Sequence, residues 1–178
     1  MSKLAQVGKK FRSKFRLIDG REFYGQILDI PDTSRVSNFL SARRYLRTSP
    51  NTIVQPGQVA IINSVKYIIA AHGEGFYVDP LYKHFKLFQV DLELSWTSNS
   101  EMEDPVTGQK KIVRDEIEGT VYLSTQPKSS QTDMLHIPSP QHLAVCDKAP
   151  QLNDLVGDML VTKSDPALGV TVLELKDQ

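Results

Sequence analysis

Strict alternation of apolar and polar residues constrains this chain most. Phe88, Val90, Leu92, Leu94 and Trp96 share one side, and Gln89, Asp91, Glu93, Ser95 and Thr97 the other. A period of two marks a half-buried strand, because successive strand side chains point to opposite faces. The pattern predicts one strand over 84–97 with its apolar side on a core. The chain opens the same way: Phe11, Ser13, Phe15 and Leu17 alternate with Arg12, Lys14 and Arg16. Asp19-Gly20 then gives a hairpin signal, since glycine accepts positive φ at little steric cost. A return strand runs from Phe23 to Ile30, and Pro31 ends it.

Further along, Pro56-Gly57 opens a second tight hairpin, Gln58–Ile62 and Val65–Ala70 about Asn63-Ser64. Short strands are expected at about 112–124, 142–146, 155–162 and 168–176, with Asp165-Pro166 in the last turn. The period changes only once. Val36, Phe39, Leu40 and Leu46 recur at helical spacing behind Asp32, Thr33 and Ser34, which predicts a short helix over about 34–47. Residues 98–111 lack an apolar period and hold Asp104-Pro105 and Thr107-Gly108, so they predict a long projecting loop. Residues 125–141, rich in Pro, Ser and Gln, predict an extended arm.

The expected architecture is one mainly β domain, an antiparallel β barrel or sandwich with one short helix and long polar loops or arms. At 178 residues and 40% hydrophobic content the chain can fill a sizeable core. The longest apolar run, Tyr67–Ala71, is far too short for a helical membrane span. The first ten residues hold no apolar signal core, so export by that route is not expected. A single cysteine, Cys146, excludes a disulfide framework. Pro56-Gly57-Gln58-Val59 and Pro150–Val156 share a loose pattern, too weak alone to define a repeat.

Net charge is zero, with 21 basic and 21 acidic residues, but the distribution is uneven. Residues 1–48 carry a net of +7, 49–88 of +1 and 89–178 of −8. Unlike ends suit a molecule that stacks head to tail or meets two unlike neighbours. The alternative is a fold that interleaves the segments and cancels the field. Lys9, Lys10, Arg12, Lys14 and Arg16 would line a strand edge, and Arg43, Arg44 and Arg47 a helix face. Both groups are candidates for contact with DNA phosphates or with a protein partner.

Chemistry-bearing motifs are missing. No phosphate-cradling glycine loop and no serine nucleophile elbow occurs. Cys146 near His142 can be drawn as a nucleophile pair, but a lone cysteine at a strand end reads better as a small buried hydrophobe. His136, His142 and Cys146 match no zinc spacing. Glu101, Glu103, Asp104, Asp115, Glu116 and Glu118 read as a solvated acidic surface rather than paired catalytic carboxylates. No catalytic residue, cofactor or metal is expected.

A family resemblance rests on Gln55-Pro56-Gly57-Gln58-Val59-Ala60-Ile61-Ile62 with Tyr67-Ile68-Ile69, a turn, a short strand, a tight hairpin and an aromatic-led return. Leu152-Asn153-Asp154-Leu155-Val156 leading to Gly169–Leu175 is a second echo. This order resembles the head-to-tail connectors of tailed bacteriophages, the head-closure (stopper) and neck proteins, with tail terminators close in shape. The resemblance implies a non-enzymatic virion protein of the phage neck, assembled in the host cytoplasm. It implies a homo-oligomeric ring between portal or adaptor and tail, around a channel holding genomic DNA, with no membrane contact. On that reading 98–111 would face the channel or a neighbour, and 125–141 would clasp an adjacent subunit. Two other classes stay open: a nucleic-acid-binding β barrel and a small enzyme with an unrecognised site.

Overall fold

The computed structural model describes residues 13–29, 44–72, 81–127 and 141–177. Every helix or strand element among them is a strand, and the sheets close into two barrels. The first holds β1 (Ser13–Leu17), β2 (Glu22–Asp29), β3 (Arg44–Thr48), β4 (Val59–Ile62), β5 (Val65–Ala71) and β6 (Lys83–Gln89). The second holds β7 (Leu92–Glu103), β8 (Lys110–Pro127), β9 (Gln141–Cys146), β10 (Leu155–Val156), β11 (Met159–Ala167) and β12 (Val170–Asp177). The chain divides into two compact units, Met1–Val90 with Ala167–Val170 and Asp91–Pro166 with Thr171–Gln178. The chain that the sequence suggests is one β-rich domain carries two compact units, each with its own barrel.

Each barrel has its own core. Phe15, Leu17, Phe23, Leu46, Tyr67, Ile69, Phe85 and Leu87 fill the first. Val121, Leu123, Ala144, Cys146, Val161, Leu173 and Leu175 fill the second. Alternation sorts them: Phe15 and Leu17 turn inward on β1, while Lys14 and Arg16 face solvent.

The two barrels share a strand order. The first runs β1-β2-β3-β6-β5-β4 and closes β4 on β1. The second runs β7-β8-β9-β12-β11-β10 and closes β10 on β7. Each is three strands, a crossover, then three strands returning. The match extends to single hydrogen bonds before the fourth strand. The Gly57 N–H donates to the Ile69 carbonyl at 2.8 Å, and the Ile69 N–H to the Gln58 carbonyl at 2.9 Å. In the second barrel the Asn153 N–H donates to the Val161 carbonyl at 2.9 Å, and the Val161 N–H to the Asp154 carbonyl at 2.9 Å. Gly57 and Asn153 both take positive φ, 85° and 72°. The Gln58 Oε1 accepts the Gln55 N–H, as Asp154 Oδ2 accepts the Gln151 N–H. Gln55–Gln58 and Gln151–Asp154 are the same turn, used twice.

Four expectations change. The strand expected over 84–97 is two, β6 and β7, parted at Val90-Asp91. Its phase also differs: Phe85 and Leu87 enter the first core, while Phe88, paired with Ile68, is buried outside it. The helix expected over 34–47 is overturned at its end, where 44–48 form β3 between β2 and β6; its earlier part lies outside the described residues. Two ladder partners give Tyr45, Leu46 and Thr48 a strand environment that outweighs helical spacing. The projecting loop shrinks to 104–109, because 98–103 and 110–111 pair across β7 and β8. Asp165-Pro166 lies within β11, and the turn falls at Leu168-Gly169, both with positive φ. Most of the arm expected over 125–141, residues 128–140, lies outside the described residues.

Candidate functional site

The charge asymmetry follows the two units. The first contains 14 basic and 6 acidic residues, a net of +8; the second contains 7 and 15, a net of −8. The segments do not interleave to cancel, so each barrel keeps its own sign.

Of the basic residues singled out in the sequence, Lys14, Arg16, Arg44 and Arg47 are described; Lys9, Lys10, Arg12 and Arg43 lie outside the described residues. Lys14 and Arg16 are exposed on the outer side of β1, with Lys14 Nζ 2.5 Å from the Glu22 carboxylate. Arg47 lies on the outer side of β3 with its guanidinium 3.9 Å from the centre of the Tyr82 ring, a cation–π contact. Arg44 departs from the expected shared face. Three residues apart on a strand means opposite sides, so Arg44 turns to the barrel end. There it donates to the Tyr67 hydroxyl and, at 2.8 Å, to Asp29 Oδ1. These groups flank a pocket of about 220 Å³.

The ladder adds residues to Arg47 that sequence reasoning misses. Arg47 pairs with His84, and Tyr45 with Lys86, across β3 and β6. His72 joins them, 5.1 Å from the Tyr45 ring and 6.0 Å from the His84 ring. Burial lowers the His72 pKa, helped by the charges of His84 and Lys86, and burial lowers that of Lys86. The available signal is the period of His84 and Lys86 against Phe85 and Leu87, which the opposite phase assigned to that strand conceals.

The second barrel carries the longest hairpin. β10 pairs with β7 only at Trp96 and Thr97, and β9 with β8 only from Leu123 to Pro127. Ser98–Glu103 and Lys110–Asp115 pair only with each other among the described residues, over six residue pairs. They form a two-stranded ribbon roughly 20 Å long at about 3.3 Å per residue. Its root is tied down by Asp154, only 2% exposed, whose carboxylate accepts from Trp96 Nε1 (2.9 Å), the Asn99 N–H (3.1 Å) and the Gln151 N–H (2.7 Å). Its tip is an ordered turn. The Val106 and Thr107 N–H groups donate to Asp104 Oδ1 at 2.8 and 3.2 Å, which holds the Asp104 carboxyl below the usual range.

The nucleophile and metal candidates read from the sequence are not brought together among the described residues. Cys146 is buried in the second core, and burial pushes its thiol up to about 12. We expect it to resist alkylation in the native chain at mildly alkaline pH and to react on unfolding, measured by mass shift. Fast native labelling would place it at the surface instead. His142 Nε2 lies 3.9 Å from Asp177, His136 lies outside the described residues, and no three His, Cys, Asp or Glu side chains converge among the described ones.

Asp147, next to Cys146, is a pH-sensitive group. Burial holds its carboxyl above the ordinary range, although its Oδ1 accepts the Tyr122 N–H at 2.8 Å. The folded state then binds this proton more tightly than the unfolded chain. Its contribution is complete below the ordinary carboxylate range and is lost as pH rises through the raised pKa. Asp147→Asn keeps the acceptor and removes the charge, so urea midpoints across that window should decline less than in the parent chain. An unchanged pH profile would exclude Asp147 as the source.

Among the described residues no helix is long and apolar enough to cross a membrane. No family model, curated protein or solved structure matches this chain.

Proposed function

We propose that this chain is a non-enzymatic structural protein of a tailed-phage virion, a ring-forming neck or head-to-tail connector subunit. It would join portal or adaptor to tail around the DNA channel. The observation that carries the reading is the partition of charge: two units with nets of +8 and −8, each containing a barrel of the same topology. A chain with two oppositely charged units suits a part that meets unlike neighbours, or copies of itself in sequence. The self-paired ribbon adds a second support. A two-stranded hairpin is marginal alone in water, so a long one suits a partner that covers it. A ring protein shaped like a tail terminator satisfies the same observations.

The test is negative-stain microscopy beside native mass spectrometry of the purified chain, with and without DNA. Closed rings with a central channel, or decoration of a portal or tail ring, are expected. A monomer that decorates neither and has no effect on head–tail joining would overturn the reading.

A second reading, a nucleic-acid-binding barrel, is favoured by Arg16, Arg47, His84 and Lys86 on the outer side of the first barrel with Tyr24 and Tyr45. It predicts DNA affinity that falls steeply with salt. Two features weaken it: Lys14 is already paired with Glu22, and Lys86 is partly desolvated.

A further inference from the structure

The most exposed large apolar residue among the described ones is Val106, 90% exposed at the tip of the β7–β8 ribbon. A single exposed apolar side chain is ordinary on a surface; what sets Val106 apart is the ordered turn that holds it out. Asp104 alone makes four of the hydrogen bonds that fix the turn. Two run to Asp104 Oδ1; the Gly108 N–H donates to the Asp104 carbonyl at 2.8 Å, and the Asp104 N–H to the Gln109 carbonyl at 2.9 Å. Val106 is therefore presented in one position, so little conformational freedom is lost on docking.

The first barrel offers a concave site with an apolar part and room for a valine side chain. A pocket of about 420 Å³ opens beside β2 and the segment after β3, lined by Glu22, Phe23, Tyr24, Asn51, Thr52 and Ile53. Tyr24 and Ile53 are 58% and 43% exposed, so its rim is apolar and wet. The one carboxylate in the lining, Glu22, is paired with Lys14. Charge favours the match. Residues 98–118, which span the ribbon, hold six acidic and three basic residues, while the unit bearing the pocket has a net of +8.

We infer that the ribbon tip of one copy docks Val106 into the Tyr24–Ile53 pocket of a second copy, with the acidic ribbon lying against the basic barrel. The inference rests on the oligomeric reading above and names the contact that makes it. Knob and pocket are different surfaces, so the contact is heterologous. Repeated, it closes a ring or extends a filament.

The experiment uses the full chain with Val106→Asp and, separately, Ile53→Asp, read by native mass spectrometry and sedimentation across a concentration series. Val106 is exposed, so its variant leaves the fold intact; circular dichroism checks the Ile53 variant. Each is expected to weaken self-association about tenfold or more, which is roughly 1.4 kcal/mol. An equimolar mixture is diagnostic. Val106→Asp copies keep the pocket and Ile53→Asp copies keep the knob, so the mixture should form dimers that neither forms alone.

Rings that survive both substitutions would overturn the inference and leave the connector reading standing. Association that Val106→Asp does not weaken, yet salt abolishes, would also overturn it, because added negative charge cannot harm a purely ionic contact to a basic surface. A parent chain that stays monomeric at every concentration would overturn it too. The connector reading would then be decided by decoration of a partner ring.

Discussion

Asp154→Ala is expected to destabilise the second barrel by about 3–5 kcal/mol, because three neutral donors lose their shared acceptor at about 1–3 kcal/mol for each one left unsatisfied. The carboxylate is nearly inaccessible and accepts from the indole of Trp96 and from the backbone N–H groups of Asn99 and Gln151. Alanine leaves all three donors without this acceptor. Typical domains are stable by only about 5–15 kcal/mol, so a large share of the margin is lost. Trp96 is the single tryptophan of the chain and belongs to this barrel, so its fluorescence in urea reports this unit selectively. Asp154→Asn keeps one acceptor oxygen and should fall between parent and alanine. A loss under about 1 kcal/mol for alanine would mean that the three donors find other partners.

Asp154 also shows how far the sequence can be read. Its buried role has no local signal: an aspartate in Leu152-Asn153-Asp154-Leu155 looks like turn chemistry, and turn chemistry is part of what it does. The long-range part, reaching Trp96 and Asn99 more than fifty positions earlier, depends on β10 closing against β7. The strands themselves are legible. Phe15 and Leu17, the Asp19-Gly20 hairpin and the Val59–Ile62 hairpin with Val65–Ala71 all lie where alternation and turn residues place them. The all-β, antiparallel barrel class follows from that pattern.

Failures cluster where two strands or two phases abut. β6 and β7 read as one strand because Val90-Asp91 carries no glycine or proline to mark the break. Ser98–Glu103 and Lys110-Lys111 look like loop because residues 98–111 carry no apolar period to mark a strand. The duplication is visible in sequence only as the weak echo between Pro56-Gly57-Gln58-Val59 and Pro150–Val156, which aligns the two prolines where the structure aligns Gln55 with Gln151. Glycine in one copy and asparagine in the other serve the same positive φ, and glutamine and aspartate accept the same N–H, so identity is lost while geometry is kept. The charge partition is legible as numbers along the chain, but only the boundary near residue 90 turns it into two oppositely charged barrels. For the candidate contact residues, helical spacing groups Arg44 with Arg47. The strand separates them, sending Arg44 to Tyr67 and Asp29 and leaving Arg47 beside His84.

In the first barrel the largest effect is expected from Gly25→Val, a loss of about 3 kcal/mol or more, at the upper end of overpacking costs. Gly25 lies on β2 opposite Ser13 and Thr48 and takes an inward position between Phe23 and Ile27. A Cβ there would stand 2.8 Å from Leu46 Cδ1 and 3.1 Å from the Arg47 carbonyl oxygen. Leu46 is fully buried among Phe15, Phe23 and Phe85, so it cannot swing to solvent. The carbonyl belongs to the β2–β3 ladder and yields only if the strands part. Alanine meets both contacts and should cost about 1–2 kcal/mol; the branched valine adds two methyl groups against a filled core. The mechanism is separable from general strand propensity, which favours valine. Leu46→Ala alone should cost about 2–5 kcal/mol through the cavity it leaves. Combined with Gly25→Val it should cost less than the sum, because each substitution relieves the other. Hydrogen exchange at the β2 and β3 amides, with circular dichroism in urea, reads all three variants. Strict additivity would show that the Leu46 contact is not what excludes a side chain at position 25, and a valine variant as stable as the parent would show that nothing does.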